Sequence, residues 1–230
     1  MMLRVSGLRA GYGQSEVLHG IDFTVPPGEI VAVMGRNGMG KSTLMKTLIG
    51  ILPVADGEIV LDETIMNDRK AHQRVASGLA YVPQGRMIFP ALTVNENIET
   101  GLVIHGGGAV PRDLYALFPV LEEMRARRGG NLSGGQQQQL AIARALATRP
   151  KMLLLDEPAE GIQPSIIRDL ARTLKKIRDE RGLAILVSEQ VLSFALDVAD
   201  RLFVLEGGRI VHTASRSEVD ESEVARFLSV

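Results

Sequence analysis

The octapeptide Gly35-Arg36-Asn37-Gly38-Met39-Gly40-Lys41-Ser42 constrains this chain more than any other stretch. It fits the pattern G-x-x-x-x-G-K-[ST], in which successive backbone N–H groups turn inward to cradle an anion. Glycines are needed there because Cβ atoms would block the approach. Residues 31–34 before it are apolar without alternation, as in a strand covered on both faces, and residues 42–49 after it read as a helix whose positive end meets the loop. By composition the pattern arises by chance in about one or two per hundred chains of this length. Between a buried strand and a helix it opens an α/β nucleotide fold. Gly35, Arg36, Asn37, Gly38, Gly40 and Thr43 are then expected around the nucleotide, with Lys41 on the β- and γ-phosphates and Ser42 on Mg2+.

The rest of the chain agrees with an α/β body. Residues 3–10, 17–25 and 29–34 read as consecutive strands, separated by Gly11-Tyr12-Gly13 and Pro26-Pro27-Gly28. Residues 151–155 and 183–187 are two further buried-type strands. Between them, residues 164–181 place Ile166, Ile167, Leu170, Leu174 and Ile177 on one face, with Pro164 suited to a helix start and Gly182 to its stop: a crossover helix between parallel strands. Residues 85–148 carry helical pattern and glycine, including Gly106-Gly107-Gly108, but no comparable strand. The expected division is a catalytic body of residues 1–84 and 150–230 with a helical lobe, 85–149, inserted into it.

Composition narrows the function classes. Lys and Arg number 26 against 27 Asp and Glu, a net charge of −1, which argues against a surface whose main task is neutralising nucleic-acid phosphates and leaves room only for a local basic patch. With no cysteine there is no disulfide framework, thiolate metal site or cysteine nucleophile. Residues 1–10 lack the apolar stretch of about 7–15 residues that a secretion signal needs. No run approaches the ~20 apolar residues of a spanning helix, so any membrane contact is expected through a partner.

Two more stretches carry chemistry. Leu153-Leu154-Leu155-Asp156-Glu157 ends a strand in adjacent carboxylates that point in different directions, so Asp156 is expected to hold Mg2+ and Glu157 to act as general base on the attacking water. Asn131-Leu132-Ser133-Gly134-Gly135-Gln136 opens a second helix. Ser133 suits its cap, and Gly134 and Gly135 leave N–H groups bare at its positive end, making a second anion site.

Leu132-Ser133-Gly134-Gly135-Gln136 resembles the signature of the ATP-binding cassette (ABC) ATPases, and the likeness extends over nearly the whole chain. The resemblance implies an α/β P-loop fold with a RecA-like mixed sheet, N-terminal antiparallel strands and an inserted α-helical subdomain. Tyr12 matches the aromatic on which adenine stacks. Gln84, in Tyr81-Val82-Pro83-Gln84, matches the glutamine that touches Mg2+ and the water and senses a membrane subunit. In that family two cassettes pair head to tail, so Ser133, Gly134, Gly135 and Gln136 would face the ATP held by the partner, with closure on ATP binding and opening on hydrolysis. The implied cofactors are ATP and Mg2+. The implied partners are a second cassette, integral membrane permease subunits and, indirectly, a periplasmic or extracellular substrate-binding protein, with the chain peripheral on the cytoplasmic face of the plasma membrane. A chromosome ATPase would need a long coiled-coil insertion, a ribosome-associated cassette a second phosphate loop, and a P-loop kinase leaves the signature unexplained.

The sequence also departs from the family pattern. Where a histidine usually contacts the γ-phosphate, this chain reads Ser188-Glu189-Gln190, and His19, His72, His105 and His212 all lie elsewhere. Gln190 can donate a hydrogen bond to phosphate but cannot carry imidazolium charge, so slow or partner-dependent hydrolysis is expected. Gln190 together with Glu160-Gly161-Ile162-Gln163 resembles one of the two cassettes of importers for branched-chain amino acids and their relatives. Within that group residues 35–41, 85–89, 127–139 and 160–165 resemble the second ATP-binding subunit of urea importers (UrtE-type). Met87, Ile88 and Phe89 are expected to line a groove that receives a membrane subunit's helix.

Overall fold

Runs rich in Val, Ile and Leu sort the strands into two sheets in this computed structural model, which describes residues 2–228; Met1 and Val230, the outer limits of the expected domain, lie outside the described residues. The first sheet is antiparallel: β1 (Leu3–Tyr12), β2 (Ser15–Val25), β4 (Asp56–Leu61) and β5 (Thr64–Ile65), in the order β2-β1-β4-β5. The second contains β3 (Ile30–Met34), β6 (Leu79–Val82), β7 (Met152–Asp156), β8 (Ala184–Glu189), β9 (Arg201–Glu206) and β10 (Arg209–Ser215), in the order β10-β9-β3-β8-β7-β6. All its pairings are parallel except that of the edge strand β10 with β9. The expected strands form with ends shifted by a residue or two: β1 and β2 are longer than expected, and β3, β7 and β8 each begin one residue later, while the crossover helix α7 (Pro164–Arg181) has the expected limits.

Both faces of the mixed sheet are buried, which is why its central strands read as unbroken apolar runs. Alternate residues serve different layers. Met152 and Leu154 pack with the antiparallel sheet and with Leu44, Met45 and Leu48 of α1 (Lys41–Ile49). Leu153 and Leu155 pack with α7, α3 (Val94–Leu102) and α6 (Gly134–Ala147). The helical segment thus shares a core with the sheet. Its two main helices meet closely at Gly101, where a Cβ would stand 2.3 Å from the carbonyl oxygen of Arg144.

The helix behind the phosphate loop is anchored from below. Arg74, in α2 (Ala71–Ala76), is 1% exposed. Its guanidinium donates to Thr47 O and Leu48 O, both at 2.8 Å, and to Arg69 O at 2.9 Å and Asn67 O at 3.0 Å. The first two bonds satisfy carbonyls at the C-terminal end of α1, where a cation also complements the helix dipole, and the other two tie the loop before α2 to the same guanidinium. Burial lowers the Arg74 pKa from its ordinary value, so the charge is kept there by its acceptors. Arg74→Met should lower stability by about 3 kcal/mol, since it strands buried carbonyls; a urea midpoint equal to that of the unaltered chain would show that the cap is dispensable.

Candidate active site

In the mixed sheet β3, β8, β7 and β6 are successive parallel neighbours, so their C-terminal ends lie side by side. Open α/β sheets bind ligands at that edge. Four sequence motifs meet there: the phosphate loop after β3, Ser188-Glu189-Gln190 at the end of β8, Asp156-Glu157 at the end of β7, and Gln84 just beyond β6. A cavity of about 450 Å3 opens among them. Asn37, Gly38, Gly40, Lys41, Ser42 and Thr43 line it from the loop and the first turn of α1, and Gln84, Glu157, Val17 and Tyr12 complete it. Gly38 and Gly40 have φ of +82° and +106°, a backbone region that side chains disfavour, and a Cβ on Gly35 would stand 2.6 Å from Leu205 O. Tyr12 is 48% exposed at the open side, available for stacking.

Lys41 is buried, and Nζ donates to Gly35 O at 2.7 Å and Arg36 O at 3.1 Å while pairing with Glu157 Oε1 at 3.0 Å. Gln84 Nε2 donates to Glu157 Oε2 at 3.3 Å and to Glu160 Oε2 at 3.1 Å. Asp156 accepts from three hydroxyls: Ser42 Oγ at 3.2 Å, Ser188 Oγ at 2.6 Å and Tyr81 OH at 3.1 Å. The convergence of the Ser42 hydroxyl on the Asp156 carboxylate offers the hard oxygen donors that suit Mg2+. Burial, and then the Asp156 charge, push the Tyr81 phenol pKa upward, so it stays a proton donor to that carboxylate. Glu157 has φ of +49°, a strained position for a residue with a side chain, and its N–H donates to Ser188 O and Oγ at 3.0 and 3.2 Å.

The remaining expected residues lie apart from this cavity. Ser133 caps α6 as expected: Ser133 Oγ accepts from Gln136 N, and Gln136 Oε1 accepts from Ser133 N at 2.9 Å. Gly134 and Gly135 follow in its first turn, and none of the four lines the cavity. Gly135 has a packing role that the sequence did not signal, since a Cβ there would stand 2.6 Å from Ile166 of α7. Gln190 is exposed just past β8 and stands outside the cavity wall. The expectation for residues 87–89 needs correction. Met87 and Phe89, at 67% and 48% exposure, line a second cavity of about 380 Å3 with Arg144, whereas Ile88 turns inward onto the helical core. The reason is the backbone: Arg86 and Met87 have φ of +67° and +46°, which breaks simple alternation. Arg144 stabilises that turn, donating to Met87 O at 2.8 Å and lying 5.2 Å from the Phe89 ring centre.

A phosphate loop, an acidic strand end and a glutamine at adjacent parallel strand ends define a nucleoside triphosphatase. The family model described as ABC transporter matches residues 18–160, and this chain belongs to that family of ATP-hydrolysing cassettes. The chain is 40% identical over 218 residues to the high-affinity branched-chain amino acid transport ATP-binding protein BraG of Pseudomonas aeruginosa, covering 91% of each. It is 35% identical over 225 residues to a LivF-type branched-chain amino acid transport ATP-binding protein of Archaeoglobus fulgidus, covering 96% and 95%. Among solved structures it resembles the dimeric cassette MJ0796 in a post-hydrolysis state with ADP and Pi, with a TM-score of 0.83 and 25% identity over 94% of this chain and 99% of that one.

Tyr81, Ser188 and Glu189 stand in stretches singled out for Gln84 and Gln190, yet only the fold gives them roles. Tyr81→Phe removes one donor from Asp156 and should lower kcat by about three- to tenfold with ATP affinity within about twofold. Steady-state ATPase with parallel nucleotide titration checks this.

Proposed function

We propose that this chain is the motor subunit of an ABC importer, coupling ATP hydrolysis to uptake through membrane permease subunits. The observation that carries the reading is the single cavity that gathers Tyr12, the phosphate loop, Gln84 and Glu157. ATP would lie with adenine on Tyr12 and its phosphates on the N–H groups of the loop and on Lys41. Ser42 and Asp156 would hold Mg2+, with Gln84 close by, and the bound cation would neutralise charge on the β- and γ-phosphates. Glu157 would accept the proton of the attacking water, and Gln190 would donate to the γ-phosphate by turning its exposed side chain inward on a backbone that stays fixed.

Ser133, Gly134, Gly135 and Gln136 lie outside the chain's own cavity, which supports a second cassette as the partner whose ATP they cover. A heterodimer is the proposed state, and residues 85–149 are the proposed inserted lobe that carries the signature turn. No helix among the described residues is long and apolar enough to cross a membrane. The groove of Met87, Phe89 and Arg144 supports docking of a permease helix, which would place the chain at the cytoplasmic face of the membrane, with a substrate-binding protein reached only through the permease. Nucleic acid is not among the proposed partners.

For substrate we propose urea, on the likeness of residues 35–41, 85–89, 127–139 and 160–165 to urea-importer subunits. Branched-chain amino acids are the second reading, which the names of the BraG and LivF relatives favour. A cassette does not touch the cargo, so transport itself must decide. Deletion of the gene should abolish uptake of labelled urea and leave labelled leucine uptake intact. Loss of leucine uptake alone would establish the second reading, and loss of neither would refute both substrate readings. In the same cells Phe89→Glu should release the chain from membranes while ATP binding stays within about twofold, because it charges an apolar contact outside the nucleotide cavity; membrane retention would refute the docking groove.

A further inference from the structure

Glu189 is 1% exposed, yet its carboxylate is met by backbone amides rather than by a cation. Oε1 accepts from Ala159 N at 2.8 Å, and Oε2 accepts from Gln190 N at 3.1 Å and Val191 N at 3.2 Å. One side chain therefore joins two segments that are about 30 residues apart in sequence: the turn after Glu157 and the segment that carries Gln190. Burial raises the Glu189 pKa above that of an ordinary glutamate, so holding a carboxylate here is costly. A small apolar side chain would close β8 without that cost.

What the cost secures is visible at Glu157. Its φ of +49° is a conformation that persists only where the surroundings over-determine it. Asp156 and Ser188 are direct partners in the β7–β8 ladder. Ser188 takes the N–H of Glu157 on its carbonyl and hydroxyl, while that hydroxyl donates to Asp156 at 2.6 Å. Two residues further on, the N–H of Ala159 is taken by Glu189. Consecutive residues of β8 thus hold the strained turn at both its ends, and the second of them also fixes the backbone of Gln190.

We propose that Glu189 is a positioning residue that makes the Glu157 turn and the Gln190 segment one unit, so that the base and the phosphate contact keep one relative geometry through the catalytic cycle. The proposal rests on the assignments of Glu157 as base and Gln190 as phosphate contact. Neither Glu189 nor its charge touches the reacting atoms; it acts through two backbones.

The test uses the full chain, with steady-state ATPase at saturating Mg-ATP and equilibrium binding of the fluorescent analogue TNP-ATP. Glu189→Gln keeps length but sets an amide NH2 against backbone N–H donors; it should lower kcat at least about tenfold with TNP-ATP affinity within about twofold. Glu189→Asp, which keeps the charge but shortens the reach, should fail to restore the rate and serves if the glutamine variant does not fold. Adding Gln190→Ala to Glu189→Gln should cost much less than Gln190→Ala does alone, because the unit is already broken. A wild-type kcat in either variant, an equal loss of affinity and rate, or additive losses would overturn the proposal. Glu157→Gln separates the two levels. If it hydrolyses ATP at the normal rate, the reading of the base fails; if it is inert while Glu189→Gln runs normally, only the positioning role fails.

Discussion

The contact between Lys41 and Glu157, 3.0 Å long with both side chains at least 95% buried, is the constraint around which the site is built. Each ion loses several kcal/mol of hydration on burial, and mutual attraction offsets this only when further hydrogen bonds complete both shells. Here the loop carbonyls of Gly35 and Arg36 complete the ammonium, and Gln84 completes the carboxylate. Asp156 and Glu189 add two more buried carboxylates at the same strand ends, met by hydroxyls and by amides respectively. So many acceptors can gather only where several chain segments end together. A parallel sheet provides that, and its crossovers in turn require helices on both faces.

The same geometry explains why the helical segment is not an appendage. Leu153, Leu155, Ile185 and Val187 of the sheet share a core with Ile98, Leu140 and Leu146 of the helices. The apolar groove begins immediately after Gln84, and the intervening backbone is held between two arginines. Arg144 grips Met87 O from α6, and Arg86 donates to Glu160 O at 3.0 Å. Arg86 also lies against Gly134, where a Cβ would stand 3.2 Å from its guanidinium. Met87, Arg86, Glu160 and Gly134 thus form one run of direct contacts between the groove, the turn after Glu157 and the first turn of α6.

How much of this the sequence disclosed depended on the range of each interaction. The phosphate loop, the cap at Ser133 and the helix Pro164–Arg181 are local devices, set by glycine at positive φ, by a side chain bonding three residues on, and by apolar spacing. Such devices can be read from neighbouring residues alone. Tyr81 meets Asp156 across 75 residues and Arg74 reaches Leu48 across 26, and no pattern in the intervening sequence announces either contact. Ile88 departs from the expected groove lining because the direction of a side chain in a loop follows backbone dihedrals, and this turn at positive φ is braced by Arg144 from a distant helix.

Charge counting gives Gln190 a meaning beyond the absence of histidine. On the reading proposed for it, the γ-phosphate meets a neutral donor where the family usually supplies a cation. The carboxylates of Asp156, Glu157 and Glu189 already crowd the neighbouring strand ends, and Lys41 is the buried cation among them. An imidazolium at position 190 would lie beside Glu189, whose backbone bonds hold that segment, and would compete for its carboxylate. A glutamine avoids the competition and keeps Glu189 free to hold Ala159. The charge it fails to supply must then come from the metal, from Lys41 and from the amides of a second cassette closing over the phosphates. On that reading, hydrolysis in such a site should depend more on its partner than hydrolysis in a cassette with the histidine, because a larger share of the stabilisation of the phosphates would arrive only on closure.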